Sequence, residues 1–171
     1  MPTDLPLPDT APVASAEAFK AGMALLAGAL TIVTTDGPGG RAGFTATAVC
    51  SVTADPPTLL ACVNAGSSAA AAFAANEAVA INVLTPAQAE AAQAFGGKTP
   101  MDRRFAAGWT SGRHGAPVLA GSLVTFETRV VQRIRMGTHD VMFCRVLDVH
   151  AGGAGEPAAA VWWNRAMRAL P

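Results

Sequence analysis

The chain has no tyrosine, only three cysteines and little charge: 14% of its 171 residues are charged, and 12 Lys and Arg balance 12 Asp and Glu to a formal net charge of zero. It holds no lysine or arginine run, so the electrostatic footprint of a nucleic-acid or anionic-membrane binder is missing and neither partner is expected. Cys50, Cys62 and Cys144 are odd in number, widely spaced and set in apolar runs, which suits reduced core thiols rather than a disulfide framework or a zinc site. A cytoplasmic protein is expected. Acids and prolines fill the first residues, MPTDLPLPDTAPVAS, where a secretory signal needs a basic segment and an apolar helix. Charges, glycines and prolines interrupt every candidate membrane span. GxGxxG after a strand, GxxxxGK[ST], HExxH, CxxC and GxSxG are all absent, which removes the best sequence support for Rossmann, P-loop, metalloprotease, zinc-domain and serine-hydrolase readings. No metal ligands are assigned.

Against that background, 51% of the residues are hydrophobic, more than a small isolated domain needs. Part of this is alanine; the rest implies an apolar face covered by another subunit. The length suits one domain able to bury a core without staples. Residues 1–14 are taken as a flexible proline-rich leader and 15–171 as a single domain.

The stretch RAGFTATAVCSVTADPPTLLACVN, Arg41 to Asn64, organises the chain. Alternation predicts one strand with Phe44, Ala46, Ala48 and Cys50 on one face and Thr45, Thr47 and Ser51 on the other. Asp55-Pro56-Pro57 stops it, and a second strand runs from Thr58 to Val63. Upstream, Ser15 caps an amphipathic helix closing on the core through Phe19, Met23, Leu26 and Leu30, and TIVTT (31–35) pairs with the long strand across the turn at 36–40. Downstream come a helix from Ser67 to about Asn76, a strand from Ala78 to Leu84, and a helix begun by a Thr85-Pro86-Ala87-Gln88 capping box and ending near Phe95. Residues 96–115 form a surface excursion carrying Trp109, with a short helix at Asp102 to Ala107. Ser122–Met136, Val141–Ala151 and Ala158–Asn164 read as three consecutive antiparallel strands. The sum is a mainly β protein, an antiparallel closed barrel with a few peripheral α-helices, not alternating βαβ units.

The chemistry-bearing residues are small and neutral. Thr45, Ala46, Thr47 and Ala48 leave room for a flat ring against the strand, with amides to bond its polar edge; packing under a helix explains the same residues. Ser51, and Ser67 with Ser68 at a helix N-terminus, offer hydroxyls and free amides to a phosphate, or Ser67 is a plain cap. His139, beside Asp140, is either a ligand-positioning histidine or a turn histidine capped by that aspartate. His114 and His150 read as solvent-facing. Trp162 and Trp163 fit core or subunit packing better than stacking on a cofactor.

The ordered segments Gly43–Val52, Pro56–Asn64, Ile81–Leu84, Arg104-Phe105, Pro117–Leu123 and Gly137-Thr138-His139 resemble the flavin reductase family, whose fold is the FMN-binding split barrel. The resemblance spans Phe19 to about Trp163 and is nearest in character to the reductase components of two-component flavin-dependent monooxygenases. It implies an NAD(P)H:flavin oxidoreductase that passes hydride from NADH or NADPH to FMN or FAD and supplies reduced flavin to a partner monooxygenase. It also implies a homodimer with flavin near the subunit interface. The isoalloxazine is placed on Thr45–Ala48, with Ser51, Val52, Cys62, Val63 and Asn64 bordering the flavin, Arg104 near its tail and His139 near the nicotinamide. The alternative is a flavin-binding electron-transfer or sensing protein with no NAD(P)H turnover.

Overall fold

The computed structural model describes residues 13–152 and 158–170; most of the leader, residues 1–12, lies outside them. Helix α1 (Ala16–Leu25) begins where Ser15 Oγ accepts from the Ala18 amide. A short strand β1 (Gly28–Ala29), then β2 (Thr31–Thr35) and β3 (Ala42–Ala46), follow. Next come β4 (Val49–Ala54), β5 (Pro57–Asn64), α2 (Ala70–Ala75) and β6 (Ala78–Val83). Thr85 and Gln88 form a reciprocal capping box on a 3-10 turn, Pro86–Gln88, that leads into α3 (Ala89–Gly96). The excursion holds α4 (Met101–Arg104), β7 (Trp109–Ser111) and β8 (Pro117–Leu119). The chain ends with β9 (Val124–Met136), β10 (His139–Ala151), β11 (Ala159–Trp163) and β12 (Ala166–Leu170).

Seven strands form one antiparallel sheet in the order β3-β2-β6-β9-β10-β5-β4. The long strand expected over 41–54 is therefore two strands on opposite edges of that sheet, joined by Thr47 and Ala48 alone. Laid flat, seven strands put their edges ~29 Å apart at ~4.8 Å per step. The three chain steps from Ala46 to Val49 reach no more than ~11 Å. The sheet must roll until its edges meet. No ladder joins β3 to β4, so the circuit of hydrogen bonds is open between them, where a closed barrel was expected. The Cys62 amide donating to the Ala48 carbonyl at 3.1 Å draws the link against β5.

Rolling gives β2 two buried faces. Val33 joins the interior cluster with Val63, Phe73, Ile81 and Met142, while Ile32 packs outward with Leu84, Ala92, Phe95 and Leu119 beneath α3. Asn82 ties the wall together from a fully buried position. Its Nδ2 donates to the Ile32 carbonyl at 3.1 Å, and its Oδ1 accepts from the Leu119 amide at 3.0 Å and the Thr125 hydroxyl at 3.1 Å.

Three further expectations need correction. β11 does not continue the β9–β10 meander; it pairs with β1 and β12 in a separate three-stranded sheet. β12 itself was not foreseen, although its turn, Asn164-Arg165, has the positive φ values (48° and 60°) of a two-residue hairpin that asparagine favours. Helix α1 does not close on the core: none of its residues is buried, and Phe19 and Leu25 remain 63% and 64% exposed. Likewise Cys50 is exposed rather than a core thiol, Cys62 is partly buried, and burial pushes the Cys144 thiol up to about 11.

Replacing Asn82 by alanine strands the Leu119 amide and the Thr125 hydroxyl inside the wall. At ~1–3 kcal/mol for each buried orphan, a loss of about 3 kcal/mol in denaturant unfolding is expected, against under 1 kcal/mol for an exposed control such as Gln132→Ala.

Candidate functional site

Two clefts open on either side of the Thr47-Ala48 link. The larger, about 580 Å³, lies between the β3 edge, α3 and the small sheet, and is lined by Leu30, Thr45, Ala46, Thr47, Ala92, Gln93, Gly96, Gly97, Trp162 and Met167 among others. The second, about 480 Å³, is walled by Ala48, Val49, Cys50 and Leu60 on the sheet side and by Met23 of α1 and Leu26 just past its end. Thr47 and Trp162 border both. The sheet wall of the larger cleft carries nothing bulkier than threonine, and Gly96 and Gly97 carry no side chain opposite it. Its volume falls among ordinary small-molecule sites of ~300–1,000 Å³. As β3 is an edge strand, alternate backbone groups on it have no ladder partner, and Thr47 and Ala48 belong to neither neighbouring ladder. A planar, polar-edged heterocycle such as a flavin fits this cradle.

Thr45 does less than its hydroxyl suggests. Its Oγ1 donates to the Ala92 carbonyl at 2.6 Å and so holds α3 over the strand. Arg104, expected near the flavin tail, turns its guanidinium to the chain: Nε donates to the Thr99 carbonyl and one terminal nitrogen to the Gly43 carbonyl, both at 2.9 Å, with Gly97 at 3.4 Å. It clamps the 97–99 loop to β3, and touches the cleft lining through Gly97.

The remaining predicted residues form a second group at the far end of β5. His139 stands opposite Asn64 in the β5–β10 ladder, and the Ala65 amide donates to the Thr138 carbonyl at 3.0 Å. Asn64 Oδ1 accepts from the Gly66 amide at 2.8 Å. Ser67 is not a cap: α2 begins at Ala70 without a side-chain cap, and the Ser67 hydroxyl is buried with no protein partner. Ser68 is exposed beside it. Asp140 does not cap His139 either, because its carboxylate is held by Arg135, one contact being 2.9 Å; the His139 ring instead has Nδ1 3.0 Å from the Thr138 hydroxyl. Ser51 and Val52 are exposed on β4 and line neither cleft, Cys62 is partly buried, and Val63 is a core residue that can offer a ligand only its backbone.

Sequence reasoning missed the group that fastens the excursion. Glu127, 1% exposed, accepts from the His114 amide at 2.8 Å through Oε2 and meets the His150 Nε2 at 2.7 Å through Oε1. His150 is exposed as expected, though its ring is engaged by Glu127, and His114 is half-buried and bonds Glu127 through its backbone amide. A β-carbon at Gly112 would lie 2.4 Å from the Glu127 carboxylate, so only glycine lets the loop close over it. The lone clue was a glutamate at an inward position of an apolar strand. Burial acts to raise the Glu127 pKa, and the His114 amide, the His150 ring and the Arg113 amide outweigh it, leaving the carboxyl below its ordinary 4.5.

The structure defines a mainly β domain with a cleft against an edge strand, and comparison with known proteins supplies the family. The profile of the flavin reductase like domain matches residues 23–171, and the chain belongs to that family. It is 50% identical over 161 residues to FMN reductase (NADH) RutF of Ancylobacter novellus, covering 94% of this chain and 88% of that protein. It is 46% identical over 155 residues to FMN reductase (NADH) RutF of Escherichia coli, covering 90% and 93%. Among solved structures, BorF, the flavin reductase component of a bacterial two-component tryptophan halogenase, superposes with a TM-score of 0.83 at 26% identity, over 92% of this chain and 99% of that one.

The Glu127 bonds are present while its carboxyl is ionised. Because the folded pKa is depressed, their stabilisation is full above the unfolded value of about 4.5 and is lost as pH falls through the lower folded value. Thermal melts of wild type and Glu127→Gln should therefore differ at pH 7 and converge in acid; a gap independent of pH would show that the carboxylate charge is not what holds the loop.

Proposed function

We propose that this chain is an NADH:flavin oxidoreductase that reduces FMN and releases it to a partner monooxygenase. The observation that carries the reading is the small-residue cleft on Thr45, Ala46 and Thr47, in a chain about half identical to proteins named as NADH-dependent FMN reductases. FAD and NADPH are second-choice substrates on the same reading. The partner is inferred from the two-component systems to which structural neighbours such as BorF belong, and the setting is the cytoplasm.

Bound flavin supplies the hydride-accepting chemistry, and the protein supplies orientation. The edge-strand amides and the Thr47-Ala48 link would hold the ring. The unpartnered Ser67 hydroxyl, with Ser68 and Asn64, would receive phosphate, and the exposed His139 would position the nicotinamide carboxamide. Hydride transfer needs no general acid from the chain.

A homodimer completes the proposal. A ten-residue helix with no buried side chain has little tertiary packing to sustain it, and Val131, Ile134, Met136, Leu147 and Val149 are exposed elsewhere on the surface. A second copy is the partner that would cover such surfaces. Sedimentation should report twice the chain mass, and Phe19→Glu with Leu26→Glu should yield monomer; a monomeric wild type would end the dimer reading.

NADH absorbance followed with and without added FMN tests the reaction. Consumption should rise with free FMN. His139→Ala should raise the KM for NADH about tenfold, the ~1.4 kcal/mol of one hydrogen bond, with FMN affinity unchanged. Tight flavin binding without NADH consumption would favour the electron-transfer or sensing alternative.

A further inference from the structure

The two adjacent C-terminal tryptophans look equivalent in sequence, and the fold separates them. Trp162 and Trp163 are 39% and 42% exposed. Yet Trp162 borders both clefts and Trp163 borders neither. Their strand, β11, is not part of the rolled sheet; it reaches the link between the two sheet edges because β1 lies between them. Trp162 is the register partner of Gly28 in the β1–β11 ladder. A β-carbon at Gly28 would stand 3.2 Å from Thr47 Cβ, so the absence of a side chain there is what lets the small sheet approach the Thr47 link. Met167, the register partner of Trp162 on β12, completes that side of the larger cleft.

Resting on the flavin reading above, we propose that Trp162 is a positioning residue of the flavin site, its indole forming the aromatic wall that holds the isoalloxazine against Thr45–Thr47. Apart from Gln93, the other lining residues of the larger cleft are small or aliphatic side chains and Met167, and Trp162 is its only aromatic lining residue among the described residues. A planar, electron-poor ring system therefore finds one large complementary surface there. Aromatic pairs contribute ~0.5–1.5 kcal/mol beyond the area they bury, so the indole decides retention more than any single neutral hydrogen bond in the cleft.

The test titrates full-length protein with FMN and follows flavin emission and absorbance. An indole in contact with the ring quenches flavin emission by electron transfer and broadens its visible band. Trp162→Leu should weaken FMN binding about tenfold and abolish the band change, Trp162→Phe should restore most of the affinity without the quenching, and Trp163→Leu should match wild type. Gly28→Val, which pushes the small sheet off Thr47, should weaken binding with Trp162 intact. If Trp162→Leu, folded by circular dichroism, binds FMN as wild type does, the inference fails while the reductase reading stands. If Trp162→Leu does not fold, the phenylalanine variant decides: unchanged quenching there overturns the proposal. If wild type binds no flavin, both readings fall together.

Discussion

Everything in this fold depends on the two residues that join opposite edges of a seven-stranded sheet. With only Thr47 and Ala48 to cross from β3 to β4, the sheet has no option but to curl until those edges are neighbours. The curl creates an inside and an outside. It explains why β2 is buried along its whole length, why Ile32 and Val33 serve different clusters, and why a buried asparagine is tolerated where strands from several directions present backbone groups to it. It also leaves a seam. Where edges meet without a ladder, backbone polar groups stay available, and a strand edge that would otherwise invite aggregation forms one wall of the larger cleft.

Parts of this were legible in the chain itself. Turns carrying chemistry of their own were read correctly: the Thr85–Gln88 capping box forms, Ser15 caps its helix, and the 36–40 turn makes the β2–β3 hairpin. The crossing at Thr47-Ala48 was not legible, because the alternation of Phe44, Ala46, Ala48 and Cys50 runs through it unbroken and neither glycine nor proline marks it. Period alone cannot tell one long strand from two that share a phase but lie on different edges. The separate sheet of β1, β11 and β12 was missed for a related reason: sequence adjacency favours pairing β11 with β10, and only tertiary packing against Gly28 decides otherwise.

For the site, residue type was legible and role was not. Small hydroxylated residues marked the cradle, but the partner of each hydroxyl is a tertiary fact. Thr45 serves α3, Arg104 serves four carbonyls of loop, helix and strand, and Asp140 serves Arg135 rather than its histidine neighbour. A side chain already engaged by the chain cannot be assigned a ligand from its identity. Glu127 illustrates the converse: a charge buried to fasten a loop leaves almost no trace in sequence beyond its position on an apolar strand.

The economy of charge at the cleft bears on how a flavin would be held. No charged residue among the described residues lines the larger cleft, and Arg104, bound to the Gly43 carbonyl of the β3 wall, is occupied as a clamp. Charge-assisted hydrogen bonds are roughly twice as strong as neutral ones, so a site built from amides, hydroxyls and one indole orients a ring without gripping its phosphate. Binding of that kind favours turnover of a ligand that must leave over permanent retention, and it makes affinity only weakly dependent on salt. The proposed release of reduced flavin accords with such a site; a tightly kept prosthetic group would call for cationic contacts, and none lines this cleft among the described residues.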